Sequence, residues 1–157
     1  MFVYLNKKIA VPNCTLIRSV AWSWEHDYIA CGGDNGTLKV IKIQTMWNQP
    51  QSSKTFSNNQ TLESHKSHVK RVCWNEPFQK LTSSDDSGSI IVWMLYKGMW
   101  YEEMVNNRNK SLVSGMAWTR DGQKICIVYD GQFCFIIFFI LFFLFVIKVY
   151  FSFQTER

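Results

Sequence analysis

Trp74-Asn-Glu-Pro-Phe-Gln-Lys-Leu-Thr-Ser-Ser-Asp-Asp-Ser-Gly-Ser-Ile-Ile-Val-Trp93 reads as the end of one strand, a second strand over Lys80 to Ser84, a turn at Asp85-Asp86-Ser87-Gly88, and most of a third strand that runs from Ser89 to Leu95. Its skeleton is a tryptophan, Trp74, with an aspartate twelve residues later, Asp86. The same spacing recurs on either side, as Trp22 with Asp34 and Trp118 with Asp130. Seven residues after each Trp stands an aliphatic: Ile29, Leu81 and Ile125. In the first two copies a glycine follows at fourteen (Gly36, Gly88), an aliphatic at sixteen (Leu38, Ile90) and a valine at eighteen (Val40, Val92). The tryptophans lie 52 and then 44 residues apart. A period near 40–45 residues in a Trp-anchored, β-patterned unit is the signature of propeller blades. The predicted fold is all-β: a partial β-propeller, two to three blades of an open ring, over residues 1–131, followed by an apolar C-terminal helix.

Outward from the central stretch, each unit repeats the scheme. Leu16 to Trp22 and Tyr28 to Cys31 read as strands, joined to a third, Thr37 to Ile43, through Gly32-Gly33-Asp34-Asn35-Gly36. Asn-Gly favours positive φ and so a hairpin. The polar run Gln44 to Gln60 reads as a loop and accounts for the longer first spacing. Met99 to Met104 reads as an outer strand of the second unit, and Leu112 to Trp118 with Lys124 to Tyr129 as the first two strands of the third. Met1 to Leu5 alternates and reads as a short strand. Closed propellers have about four or more blades, so three copies leave the ring open and the chain reads as a fragment.

From Phe133 to Ile147 fifteen apolar residues follow in a row, then Lys148 and Val149-Tyr150-Phe151. As a helix, Phe133 to Phe151 would be about 28 Å long, close to a bilayer core. Residues 132–157 therefore read as an apolar tail with no recognisable strand. Two origins stand open: a transmembrane helix, or non-native read-through of intron sequence, since its residue types share uridine-rich codons.

The net charge of +5 comes from scattered basic residues, with only Lys66, Lys70 and Arg71 grouped. A nucleic-acid-binding face would cluster them. Cys14, Cys31, Cys73, Cys126 and Cys134 are odd in number and form no C-x-x-C pair, which reads as reduced, buried thiols. No nucleophile elbow, P-loop or dinucleotide fingerprint occurs, and Asp85 with Asp86, adjacent in sequence, make no acid–base pair. His65-Lys66-Ser67-His68 lacks Cys or carboxylate partners at zinc spacing, and His26 stands alone. No enzyme activity, metal or cofactor is expected.

The second unit carries the side chains of a WD-type blade. His65 precedes the first strand, Ser83 lies on the second, Asp86 in the turn and Trp93 on the third. These four are the expected structural network, with Trp22, Asp34, Trp74, Trp118 and Asp130 as repeat anchors. Ser64 replaces the usual Gly before His65, and Met94 the Asp of the Trp-Asp pair.

Trp74-Asn-Glu, Phe78-Gln-Lys-Leu81, Ile90-Ile-Val-Trp-Met-Leu-Tyr-Lys-Gly98, Glu102-Glu-Met-Val-Asn-Asn-Arg-Asn-Lys-Ser111 and Asp121-Gly-Gln-Lys-Ile-Cys-Ile-Val-Tyr129 resemble the amino-terminal propellers of the WD repeat-containing protein 35 family, subunits of intraflagellar transport complex A. So do Tyr4-Leu5, Lys7-Lys8-Ile9 and Ile29-Ala-Cys-Gly-Gly33. The resemblance covers about residues 1–131. A tubby-like group with amino-terminal WD repeats shares Trp74 to Leu81 in similar form but not Tyr96 to Ser111 as closely. The resemblance implies a non-enzymatic scaffold of two propellers and a helical-repeat region, acting in retrograde ciliary transport and cilium assembly. It implies other complex A subunits and ciliary membrane cargo as partners, and a place in the cilium, basal body and cytoplasm. The alternative from the tail is a tail-anchored membrane protein with a cytosolic WD-repeat binding module.

Overall fold

The computed structural model describes residues 15–43, 59–108 and 110–130 in full, and residues 133–140 and 143–147 by their backbone. The expected strand at Met1 to Leu5 and the loop from residue 44 to 58 lie outside the described residues. Three antiparallel sheets of four strands follow one another along the chain. The first blade holds β1 (Ile17–Ser23), β2 (Tyr28–Gly33), β3 (Leu38–Lys42) and β4 (Gln60–Leu62). The second holds β5 (Val69–Asn75), β6 (Lys80–Asp85), β7 (Ile90–Tyr96) and β8 (Met99–Asn106). The third holds β9 (Val113–Trp118), β10 (Lys124–Tyr129), β11 (Phe133–Ile140) and β12 (Phe143–Ile147).

The Trp repeat is a repeat of register. Trp22 pairs with Ile29, Trp74 with Leu81 and Trp118 with Ile125, each on the first two strands of its blade. The first strand of every blade also carries a bulge at the same place. The pairing skips Arg18, Lys70 and Ser114, each four residues before its tryptophan. Twelve residues after the tryptophan, the backbone N–H of Asp34, Asp86 and Asp130 donates to the carbonyl of Leu16, His68 and Leu112, at 3.1, 3.0 and 2.8 Å. Each carbonyl lies six residues before its Trp, so this bond closes the bulged end of the strand pair. Asn35 and Gly36 both have positive φ (58° and 72°), the pair a two-residue hairpin turn of the expected kind uses. A Cβ on Gly36 would also strike the carbonyl of His65.

The core lies between blades. Tyr28, Leu38 and Val40 of the first blade meet Val69, Leu81, Ile91 and Trp93 of the second. A smaller cluster joins Ile90 to Val113, Ile125, Ile127 and Tyr129 of the third. Within the first joint, Tyr28 stacks on Trp74 at 6.0 Å between centroids, and Trp100 meets both edge-on at 5.6 and 5.5 Å. Edge-to-face and stacked aromatic pairs add about 0.5–1.5 kcal/mol beyond their buried area.

The expected apolar C-terminal helix is not found among the described residues. Phe133–Ile140 and Phe143–Ile147 are strands; β11 pairs with β10 from Phe133 opposite Tyr129 to Phe138 opposite Lys124, and β12 pairs with β11. The physical reason is the free edge of β10. Its backbone N–H and C=O groups need partners, and a helix would leave them without any. The segment is rich in Phe and Ile, which favour extended backbone. An apolar run without periodicity cannot by itself distinguish the two states. No helix among the described residues is long and apolar enough to cross a membrane, so the tail-anchor alternative has no spanning helix to rest on.

Candidate functional site

The second blade encloses a buried polar chain. Trp93 Nε1 lies 2.8 Å from Ser83 Oγ, Ser83 Oγ lies 2.7 Å from His65 Nε2, and His65 Nδ1 lies 2.9 Å from Asp85 Oδ2. All four side chains are buried. Their protons follow from donor arithmetic. The indole N–H only donates, so the Ser83 oxygen accepts from Trp93 and spends its own proton on His65 Nε2. Nε2 is then the acceptor, and Nδ1 carries the hydrogen donated to Asp85. The other Asp85 oxygen, Oδ1, accepts from the Ser87 N–H and Oγ–H at 3.1 and 2.6 Å and from the Ser89 N–H at 3.0 Å.

The charge state agrees with this order. Burial lowers the pKa of His65 below its ordinary value, and this outweighs the opposing pull of Asp85 and Glu102. Burial acts to raise the Asp85 carboxyl, but hydrogen bonds from Ser87, His65 and Ser89 together bring it below the usual carboxylate range. At neutral pH a neutral imidazole therefore faces a carboxylate. Satisfied throughout, such a chain rigidifies the sheet that contains it.

His65, Ser83 and Trp93 are thus brought together, but Asp86 is not their partner. Strand alternation decides this: Ser83 and Asp85 are two apart on β6 and share a face, whereas Asp86 lies one residue past the strand. Asp86 sits 4.0 Å from Lys70, the bulged residue of its own blade. Asp34 does the same with greater closeness, as Arg18 Nε lies 2.8 Å from its Oδ1. That contact holds the Asp34 carboxyl below the usual range. The repeat aspartate is therefore a turn-and-bulge anchor, and the network aspartate is its predecessor. The signal available in the sequence was the two-residue spacing of Ser83 and Asp85.

Ser83, His65 and Asp85 have the order and distances of a hydrolytic triad, but the chemistry is closed off. The Ser83 hydroxyl is 0% exposed and its oxygen already accepts the Trp93 N–H, so no substrate carbonyl can approach it. Both His65 nitrogens are engaged, which leaves no lone pair for a metal.

A second set of side chains fastens blade to blade. Trp74 Nε1 donates to the Ala21 carbonyl at 3.0 Å, and Trp118 Nε1 to Thr82 Oγ1 at 3.0 Å. Glu76 accepts from Ser23 Oγ at 2.8 Å and from the Trp24 N–H at 3.3 Å, with His26 Nδ1 3.3 Å away. Asn75 Nδ2 donates to the Gly122 carbonyl at 2.8 Å, Arg71 Nε to the Ser114 carbonyl at 2.8 Å, and the Val72 N–H to Ser19 Oγ at 3.2 Å. At the outer rim the Gln60 amide clamps the backbone of Trp100, accepting its N–H at 2.7 Å and donating to its carbonyl at 3.0 Å. Glu76, Asn75 and Gln60 were not singled out in the sequence, because nothing local marks a residue whose partner is in the neighbouring blade.

Four-stranded sheets set side by side, with the Trp-bearing first strands adjacent and one blade held by a His–Ser–Trp–Asp chain, define a WD-repeat β-propeller protein. The chain belongs to the WDR35/TULP4 N-terminal β-propeller family, whose model matches residues 1–136. It is 54% identical over 135 residues to human WD repeat-containing protein 35 and 53% identical to the Rattus norvegicus protein of that name. It is 37% identical over 109 residues to human Tubby-related protein 4. The first alignment covers 83% of this chain but 11% of the human protein, and the last 69% and 7%. The chain thus spans about a tenth of the length of the curated relatives it matches. Among solved structures, it is similar to a chain of the mitotic checkpoint complex, with a TM-score of 0.62 at 22% identity over 80% of this chain and 35% of that one. It is also similar to the Myceliophteria thermophila Cps50 (Swd1) β-propeller domain, with a TM-score of 0.61 at 16% identity over 86% of this chain and 40% of that one. These two likenesses concern the fold alone.

Proposed function

We propose that the chain is the blade set of a non-enzymatic scaffold subunit of intraflagellar transport complex A, acting in retrograde ciliary transport and cilium assembly. The observation that carries the reading is the 54% identity to WD repeat-containing protein 35 over 135 residues, 83% of this chain. The physics fits a scaffold. Its satisfied polar side chains are placed to hold sheets rigid and to fasten one blade to the next, while the loops between strands remain at the surface, where partners bind. The partners in this reading are other subunits of the complex and, through them, ciliary membrane cargo. The place of action is the cilium and its basal body.

The test is affinity capture of the tagged chain from ciliated cells, beside the same chain carrying Ser83→Ala and His65→Ala together. Recovery of transport-complex subunits with the native chain, and their loss with the double variant, supports the reading. A native chain that is folded by circular dichroism yet recovers none of those subunits, and does not reach the cilium in fluorescence microscopy, overturns it.

A further inference from the structure

Ser64 stands where a WD-type blade usually has glycine, and its hydroxyl donates to Glu102 Oε1 on the outermost strand of the second blade. Both residues line a cleft of about 380 Å³ between the outer strands β4 and β8, well inside the chain. That volume lies in the range of binding sites, about 300–1,000 Å³. β4 has three residues and β8 eight, so β4 is too short to shield the length of β8. Each is the last strand of its sheet and has one edge with no strand beside it among the described residues. The lining includes the consecutive residues Trp100, Tyr101 and Glu102. Neighbours on a strand point to opposite faces, so a cavity touching all three runs along the edge of β8. Its lining is anionic and aromatic. Asp34, Asp86 and Glu103 each have a basic side chain beside them, from Arg18, Lys70 and Lys80. Glu63 and Glu102, both in the cleft, have none among the described residues, although the chain carries a net charge of +5. Tyr101 is 50% exposed. The cleft is also preformed, because Gln60 holds the Trp100 backbone through both of its amide atoms and Trp100 itself is buried.

We propose that this cleft receives an arginine from an extended, basic segment of a partner protein. The guanidinium pairs with the carboxylates of Glu63 and Glu102 and lies on the Tyr101 ring. The backbone of the segment runs along the free edge of β8, whose unpaired N–H and C=O groups suit an added strand. Charge selects the occupant. Two carboxylates in one cleft repel each other, and a cation between them reverses the sign of the interaction. An acidic segment would add to the repulsion, and a neutral one would leave both carboxylates unpaired. Arginine suits the cleft better than lysine, because its planar fork bonds to carboxylates on its edge while its face stacks on an aromatic ring. Ser64 is a positioning residue: it holds Oε1 of Glu102 and leaves Oε2 for the guanidinium. Binding at this cleft does not depend on which complex the chain serves.

The probe is a fluorescein-labelled peptide, Ser-Val-Arg-Val-Arg-Val-Ser, titrated with the full chain and followed by fluorescence polarisation. The same peptide with citrulline for both arginines keeps the shape and loses the charge. The native chain is expected to bind the arginine peptide at least about 10-fold more tightly than the citrulline peptide. Glu63→Gln and Glu102→Gln are each expected to weaken it about 5- to 10-fold. Ser64→Gly restores the usual residue and is expected to weaken binding in the native chain but not in Glu102→Gln, since it acts through that carboxylate. Glu103→Gln makes the same change of charge next to the cleft, at a residue already paired with Lys80, and is expected to leave binding unchanged. Glu63, Glu102 and Glu103 are exposed, so the three variants keep the native circular dichroism. A native chain that does not bind the peptide overturns the proposal. So does equal binding of the citrulline peptide, or a loss in Glu103→Gln as large as that in Glu102→Gln, which would mean diffuse attraction and no built site. Binding that emerges only in a Lys54→Ala variant assigns the cleft to a basic residue of this chain, and self-association abolished by Glu102→Gln assigns it to a second copy; either result also overturns it.

Discussion

Trp74 donates its indole N–H to the carbonyl of Ala21 across 3.0 Å, and with the Val72 N–H to Ser19 Oγ bond it ties the first strand of one blade to that of the blade before it. The indole does two things at once. Its ring stacks on Tyr28 and meets Trp100 edge-on, and its nitrogen satisfies a backbone acceptor on the neighbouring sheet. Trp74→Phe keeps most of the ring and removes the donor. It should cost about 1 kcal/mol of unfolding free energy, the usual net worth of one hydrogen bond, measured by urea denaturation. Trp22→Phe should cost far less, because the Trp22 indole makes no such bond among the described residues.

Ser83 and Ser84 are adjacent, both fully buried, and should behave oppositely. Ser83→Ala leaves the Trp93 N–H and the His65 Nε2 without partners and should destabilise by about 2–3 kcal/mol. The Ser84 hydroxyl has no hydrogen-bond partner among the described residues. Ser84→Ala removes a buried polar atom that gains nothing, so stability should hold or rise slightly. Equal losses in the two variants would show that the network does not carry the blade.

The two adjacent aspartates should separate in the same way. Asp85→Ala strips acceptors from His65, Ser87 and Ser89 in a buried site, and about 3 kcal/mol or more should be lost. Asp86→Ala removes one partly exposed contact to Lys70 at 4.0 Å and should stay within about 0.5 kcal/mol of the native chain. Thermal midpoints of the pair, taken side by side, are the measurement.

Stability should fall on mild acidification. Burial holds the folded-state pKa of His65 below its ordinary 6.5, so the unfolded chain binds more protons once the pH drops below that value. The contribution is complete above about pH 6.5 and is lost as the pH falls through the lower, folded value. Asp85, also lowered from 3.8, adds a further loss below about pH 4. Denaturation midpoints at pH 8, 7, 6 and 5 should be level over the first two and decline over the last two. In a His65→Gln variant the decline between pH 6.5 and 5 should be shallower.

Cys73 should resist alkylation in the folded chain. Burial pushes its thiol up to about 12, so at pH 8 only about one molecule in ten thousand carries the thiolate. Iodoacetamide labelling mapped by mass spectrometry should find Cys73 unmodified in buffer and modified in urea. Rapid labelling in buffer would mean that the second blade opens locally.

The twelve-residue spacing from tryptophan to aspartate, seen in the letters alone, determined the pairing of the first two strands in every blade. It could do so because register is a local property: two strands joined by a short turn can pair in few ways, and a one-residue slip would turn every apolar side chain outward. The same locality explains why His65, Ser83 and Trp93 were legible as a group, since they belong to one repeat unit, His65 just before its first strand and the other two on its second and third. Tertiary structure alone decided three other matters. It chose Asp85 over Asp86, because the choice depends on which face of β6 points toward His65. It made strands of Phe133–Ile140 and Phe143–Ile147, because the open edge of β10 requires backbone partners that no local pattern records. And it separated Trp22 from Trp74 and Trp118, identical in spacing but not in burial, because burial at that position depends on whether another blade stands beside the strand.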